Sequence, residues 1–434
     1  MPAASEKIKN LSALAYFSIL CLMAFGFFVW LGRQYMAHEL FYVFDRQSNS
    51  FRFLDFDNSY MCAKLAASPL RHAVYDPASQ LSFFKQWLAP LQITTSPYCQ
   101  VVPWYFVFAI PFGLFPLPVA YVIWNLLFCS FGIIGLRQLM RYLGRFDRKE
   151  RIFLYVWLFA FFPAQAAIFD GQNSWFLLGL SALYCKFWLE SRDTPCGIVL
   201  SFVTVKPQYF LYLLIPAIAQ RRWRILAVAL FSCLVFLVIS GLVIGFDNIV
   251  NYPKVLTRIE SGDLAVYPRH MVSIRGPVSI LLGQNLGFQI GTGIFFLSMI
   301  LLFFMWLRTP KTAVLPAFAA TIMGMVVFSP HTHPYDLTFM ALPFVLIAPS
   351  LKNKDILRSL PGYHRLCISI FVFLPILIYF PLVGLFSFAP KDSVAHGEPL
   401  AWTFSLINLL LLFLIIGQWQ SAKKQPGSEQ GSEL

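Results

Sequence analysis

Four short stretches of the chain carry residue types that do chemistry. Asp55 and Asp57 stand two apart in Asp55-Phe56-Asp57-Asn58-Ser59-Tyr60. A carboxylate beside an apolar zone, its pKa raised by its surroundings, makes a general base. The same pair without chemistry is a solvated turn or the N-cap of a following helix. Asp170-Gly171-Gln172-Asn173 is a turn signal between two apolar runs. Lys206-Pro207-Gln208 places an ammonium inside an apolar run, where a cation is costly unless paired. A phosphate is one natural partner, and a Lys snorkelling to the interface is the alternative.

The fourth stretch, Ser329-Pro330-His331-Thr332-His333-Pro334-Tyr335-Asp336, offers two imidazoles and a carboxylate. His-x-His in a Pro-flanked loop does not put both rings on one helical face, and no Cys or Glu joins them. A hydrogen-bonding or phosphate-facing role is therefore expected over metal binding, with packing of a loop end as the plain alternative. Lys254, Arg258, Arg269, His270 and Arg275 add cations between 246 and 287. They suit an anionic ligand or lipid head groups.

The elements that must position these residues are set by composition. Of 434 residues, 58% are hydrophobic and 12% charged, against about 25% charged in a soluble domain. The mean hydropathy is +0.66. This excludes a disordered chain, a fibrous repeat, a small disulfide scaffold and an ordinary soluble enzyme. It predicts an all-α polytopic membrane protein, because several runs reach the roughly 20 apolar residues that cross a bilayer. Ten full spans are expected, at about 11–31, 118–139, 152–169, 173–190, 225–245, 288–307, 312–328, 335–350, 365–387 and 401–418. Two further apolar stretches, 101–116 with Pro103, Pro111 and Pro116 (and Pro118 just after) and 196–219 broken at Lys206-Pro207, read as re-entrant or half-helix pieces. Such backbone is tolerated at membrane depth only when buried in protein or lining a wet cavity. Long loops fall at 33–100, with local helix patterns near 58–67 and 79–88, and at 246–287. Residues 1–420 read as one transmembrane domain, and 421–434 as a disordered tail.

Charge orients the chain. The basic loops around Arg137–Arg151, Arg221–Arg224, Arg308/Lys311, Lys352–Arg358 and Lys423/Lys424 all fall on one side with both termini. The positive-inside bias makes that side cytoplasmic. This topology puts 21 Lys+Arg and 8 Asp+Glu on the cytoplasmic side and 12 of each on the other. The whole +13 excess is thus a topology signal, and nucleic acid is not an expected partner. All four chemical stretches lie on the balanced, extracytoplasmic side. Six of the eight Cys lie in or beside apolar runs; only Cys62 and Cys99 share a long polar loop, where an oxidising compartment allows a disulfide.

The four stretches, in this order, resemble the polytopic GT-C glycosyltransferases that use polyprenyl-phosphate mannose. The chain is similar to the mycobacterial phosphatidylinositol-mannoside α-1,2-mannosyltransferase family over roughly 10–350. The resemblance rests on an Asp-Phe-x-x-x-Tyr segment after the first span, Asp-Gly-Gln-Asn opening a span, Lys-Pro before an Arg-Arg-Trp-Arg loop, and a late Ser-Pro-His loop with Tyr-Asp. It implies a GT-C-type fold and a metal-independent, inverting transfer with no cofactor. The donor is a polyprenyl-phosphate sugar presented on the extracytoplasmic face of a membrane, by default a bacterial inner membrane. The acceptor is a glycolipid or glycan, and membrane lipids are the other partners. Carried over, Asp55 is the catalytic base, with Asp57 as a doubled acid that leaves the choice between them open. Lys206, His331 and His333 line the donor cavity, grouped with Tyr60, Asp170 and Gln172. Arg269 to Arg275 matches a looser segment.

The chemistry agrees. An inverting transfer needs one carboxylate to take the acceptor proton and positive charge where the departing phosphate gains charge. A secondary transporter or flippase of an anionic or lipid-linked substrate is the rival, since it too uses broken helices. However, no internal repeat is present, and the charges sit at one face rather than mid-span.

Overall fold

The computed structural model of the chain describes residues 2–36, 43–45, 50–52, 55–87, 99, 101–261, 271–349, 359–388 and 398–424. Apolar runs punctuated by Gly, Pro and basic loops fold as helices almost throughout. They are α1 (Pro2–Met36), α2 (Asp55–Ala66), α3 (Pro77–Trp87), α4 (Pro103–Ala109), α5 (Leu117–Leu143), α6 (Arg148–Ala160) and α7 (Phe162–Phe169). α8 (Ser174–Leu189), α9 (Asp193–Phe202), α10 (Pro207–Ala219), α11 (Trp223–Ile244), α12 (Phe246–Ser261) and α13 (Arg275–Leu282) follow. The last are α14 (Gln284–Leu307), α15 (Val314–Phe328), α16 (Ala341–Ile347), α17 (Gly362–Phe388) and α18 (Glu398–Lys424). One antiparallel hairpin, Val43–Asp45 against Ser50–Arg52, interrupts the helical pattern.

The chain is an all-α polytopic membrane protein, but not with ten uniform spans. Among the described residues six helices are long and apolar enough to cross a bilayer, and the pair α6–α7 makes a seventh if its 60° bend is one broken span. The bend falls at Phe161, just before Pro163, whose ring cannot continue the α6 hydrogen-bond ladder. The expected spans at 173–190 and 335–350 are shorter: α8 has 16 residues, and the latter is a 3-10 turn, Pro334–Met340, leading into the seven-residue α16. The half-helix pieces are as expected. The 101–116 stretch is α4 plus a 3-10 turn, and 196–219 is α9 and α10 joined through a 3-10 turn at Val203–Val205. Of the tail expected at 421–434, residues 421–424 are the last of α18, and residues 425–434 lie outside the described residues.

Close helix approach holds the centre together. α5 meets α8 where Gly135 faces Gly179, with no room for a Cβ: one built on Gly135 would lie 2.5 Å from the Gly179 carbonyl oxygen. Small residues at a crossing are the usual means of close packing in lipid. Around this seam Trp124, Trp157 and Trp175 are fully buried. Each indole N–H finds a carbonyl: Gly171 for Trp124, Phe371 for Trp157 and Ala164 for Trp175.

The turn after α7 is a glycine C-cap. Gly171 has φ +62°, and the Gln172 and Gly171 N–H groups reach back to the carbonyls of Ala167 and Ile168. Tyr121 and Trp124, three apart on α5 and so on one face, donate to the carbonyls of Ile168 and Gly171 at 2.8 and 2.9 Å. The turn is also pressed against α2: a Cβ on Gly171 would lie 2.5 Å from Phe56 Cβ. Behind α2, a Cys62–Cys99 disulfide closes a 37-residue loop, with 5.6 Å between the Cα atoms.

Gly171→Ala should lower the melting temperature in detergent, with at least about 1–2 kcal/mol from left-handed backbone alone. An unchanged melting point would mean that α2 does not rest on this turn. Denatured, unreduced protein should expose six thiols to alkylation and reduced protein eight; eight before reduction would refute the disulfide.

Candidate active site

The four chemical stretches converge through one continuous set of hydrogen bonds. The acidic side is built on the 170–173 turn. The Phe56 N–H donates to the Asp170 carbonyl at 2.8 Å, which seats the first turn of α2 on it. The Gln172 side-chain amide then donates to Asp55 Oδ2. Asp55 is exposed, whereas Asp57 is fully buried. On a helix, residues two apart point about 200° from one another, so the doubled acids face opposite ways. Asp170 lies in the turn on which α2 is seated. Burial and, second, the nearby Asp55 carboxylate push its pKa above the ordinary carboxylate range.

The cationic side is built on prolines. Pro207 is the first residue of α10; it restricts the residue before it to extended backbone, and Lys206 sits there at φ −123°, ψ 93°. The Lys206 ammonium bonds Asp336 Oδ1. It also lies over the rings of Tyr209 and Tyr335, at 5.5 and 5.1 Å. Asp336 is buried and accepts three donors: Lys206, the Ser174 hydroxyl at 3.1 Å, and the His333 backbone N–H at 3.1 Å on its other oxygen. Pro334 starts the 3-10 turn that carries Asp336. Arg275, the first residue of α13 and only 3% exposed, donates to the Pro330 carbonyl at 2.9 Å. The Val272 N–H donates to the Thr332 carbonyl at 2.9 Å, so the 271–275 segment runs alongside the His loop.

The two imidazoles meet. His331 Nε2 and His333 Nε2 are 3.1 Å apart, and the Gln208 amide donates to the His331 carbonyl at 3.3 Å. Burial first, then His333, Lys206 and Arg275, holds His331 well below the usual imidazole range. It therefore stays neutral at pH 7 and takes part in hydrogen bonds rather than adding charge. Among the described residues no group of three or more His, Cys, Asp or Glu is arranged to hold a metal ion.

One turn joins the two sides. Gln172 reaches Asp55, and Ser174, two residues on, reaches Asp336. Tyr335 lies within electrostatic reach of Asp55, Asp170 and Asp336, with Lys206 over its ring. An exposed carboxylate and the part-buried Lys206–Asp336 pair thus share one region, with Tyr335 near both. Such a site can take a proton from a hydroxyl and stabilise negative charge on a leaving group.

Most of the expected residues meet here: Asp55, Asp170, Gln172, Lys206, Arg275, His331 and His333. Tyr60 does not. Its hydroxyl donates to the Phe115 carbonyl at 2.7 Å and its ring packs on Phe56 and Trp87, so it braces α2 from behind. Asp57 faces the interior, near Tyr121. Arg269 and His270 lie outside the described residues. The expectation for Lys206 also changes: its partner within the protein is Asp336. That acid was legible in the fourth stretch only as an adjunct to the His pair. Ser174 carried no sequence signal, since a serine opening an apolar helix looks like any N-terminal residue.

The sequence pattern of glycosyltransferase family 87 matches residues 103–330, more than half of the chain. That match contains Asp170, Gln172, Lys206 and Arg275; Asp55 precedes it and His331, His333 and Asp336 follow it. No curated protein matches the chain. The chain belongs to glycosyltransferase family 87, a GT-C-type family, and is a membrane-embedded glycosyltransferase.

Proposed function

We propose that the protein transfers a hexose, mannose by resemblance, from a polyprenyl-phosphate sugar to a hydroxyl of a glycolipid or glycan, with inversion and without a metal. Asp55 takes the proton of the attacking hydroxyl as the bond to the anomeric carbon forms. The bond from that carbon to the phosphate oxygen breaks, and the polyprenyl phosphate departs with the electron pair. The observation that carries this reading is the pairing of roles on one turn: Gln172 aims an exposed Asp55, while Ser174 anchors the Asp336–Lys206 cluster beside it. Membership of a glycosyltransferase family favours transfer over transport.

The leaving phosphate would meet Arg275 and Lys206. Charge-assisted contacts of this kind act where negative charge develops. Lys206 already shares its charge with Asp336, so the phosphate competes for it rather than finding it idle. A phosphodiester departs without a general acid, so one base is enough. The extracytoplasmic placement is supported by the basic loops on the opposite side and by the Cys62–Cys99 bridge behind Asp55, which suits an oxidising compartment.

Purified protein incubated in EDTA with a panel of polyprenyl-phosphate sugars should release polyprenyl phosphate from the mannosyl donor. Asp55→Asn should abolish that release, while Asp57→Asn chiefly lowers stability. Loss confined to Asp57→Asn would move the base inward, and full activity in both variants would sink the mechanism. Lys206→Met should cost about 3 kcal/mol of stability by leaving Asp336 buried without its cation. The double variant Lys206→Met/Asp336→Leu should regain most of that, because an apolar pair of similar volume replaces a buried ion pair at little cost. Donor affinity should stay low in both. Recovery of donor binding in the double variant would show that Lys206 does not touch the donor.

A further inference from the structure

Far from the candidate active site, at the basic end of the helices, α1, α6 and α17 enclose a cleft of about 580 Å³. Its rim carries Lys149 in the first turn of α6 and Arg365 in the first turn of α17. Both are exposed, and neither ion-pairs with a carboxylate among the described residues. Glu150 also lines the cleft, but it is buried and its carboxylate accepts the Asp147 backbone N–H in a capping box at 2.8 Å. The walls beneath the rim are apolar. Tyr16 of α1 packs edge-on to Phe373 and against Phe153, with ring centroids 5.2 and 6.3 Å apart.

The vertical order of these groups is that of a phospholipid. Arg365, Ser369 and Phe373 lie at i, i+4 and i+8 on one face of α17. At 1.5 Å per residue this runs from a cation through a hydroxyl to an aromatic ring over about 12 Å. α6 starts from the same end and repeats the order in one turn, from Lys149 to Phe153. Two cations at one level match a phosphodiester in the head-group layer. A serine hydroxyl below matches the ester region, and rings below that match acyl chain. Basic pockets between membrane helices attract anionic lipid in this way. A soluble anion would use the rim but leave the apolar walls unfilled, and a zwitterionic lipid would bring its own headgroup cation against Lys149 and Arg365, weakening the pairing of its phosphate.

We propose that this cleft is a binding site for one anionic glycerophospholipid, its phosphate between Lys149 and Arg365 and a chain along Tyr16, Phe153 and Phe373. The site is separate from the transfer chemistry and does not depend on the sugar or the acceptor.

The test is native mass spectrometry of the full chain released from vesicles of equal parts phosphatidylglycerol and phosphatidylcholine. The wild type should retain one phosphatidylglycerol in preference to phosphatidylcholine. Lys149→Ala/Arg365→Ala should lower that retention about thirtyfold without shifting the melting temperature, since both side chains are exposed. Arg308→Ala/Lys424→Ala, which removes two cations elsewhere at the same end, should retain it as the wild type does. Equal retention of both lipids by the wild type would overturn the proposal. So would equal loss in both double variants, which would reduce the effect to overall surface charge. Displacement of the lipid by millimolar inorganic phosphate would also overturn it, because the rim alone would then be the site.

Discussion

The Asp336 carboxylate, buried in an apolar bundle, constrains the rest of the site. An ionised acid out of water is costly unless both oxygens are satisfied. Asp336 meets this with three donors from three separate parts of the chain: Lys206 at the broken α9–α10 hairpin, Ser174 at the start of α8, and the His333 backbone in its own loop. Each donor sits at an interruption of helix, where side chains and backbone groups are free to turn toward a centre. The half-helices and short helices around it are the architecture that brings interrupted backbone to one place. They are also what separates this fold from a simple bundle of full-length spans.

The opposite electrostatic sign lies one turn away. Gln172 and Ser174 belong to the same short segment, so the geometry between Asp55 and the Asp336–Lys206 cluster is set by two residues of backbone rather than by flexible loops. That segment is anchored in turn from α5 by the Tyr121 hydroxyl and the Trp124 indole, and from α2 by the Phe56 amide. Catalytic groups need to be held within a fraction of an ångström, and rigid elements supply this better than mobile ones. Gly171 allows it by leaving no Cβ between the turn and Phe56.

Lys206 is held by Asp336, and under the proposed reaction an incoming phosphate would compete for it. The pair fixes the position of the ammonium over the rings of Tyr209 and Tyr335. His331, kept neutral by burial and by its cationic neighbours, contributes hydrogen bonds without adding to the positive charge that the cluster must already accommodate.

The sequence by itself determined the solvent, the charge pattern and the polar stretches that the fold brings together. A 58% hydrophobic chain is a membrane protein whatever its contacts, and the bias of its basic loops gives an expected orientation. The Pro and Gly positions that break helices were legible because φ restriction and the missing N–H act locally. So was the half-helix at Lys206-Pro207, and so were all four polar stretches. Span count was less legible, because apolar composition does not distinguish a 16-residue helix packed in protein from one that crosses lipid. Which of Asp55 and Asp57 faces out, what Lys206 pairs with, and the withdrawal of Tyr60 into the core were decided only by the tertiary structure. These depend on contacts between residues more than a hundred positions apart, such as Gln172 with Asp55 and Lys206 with Asp336. Nothing in the local sequence encodes such pairs; they exist only once the helices have packed.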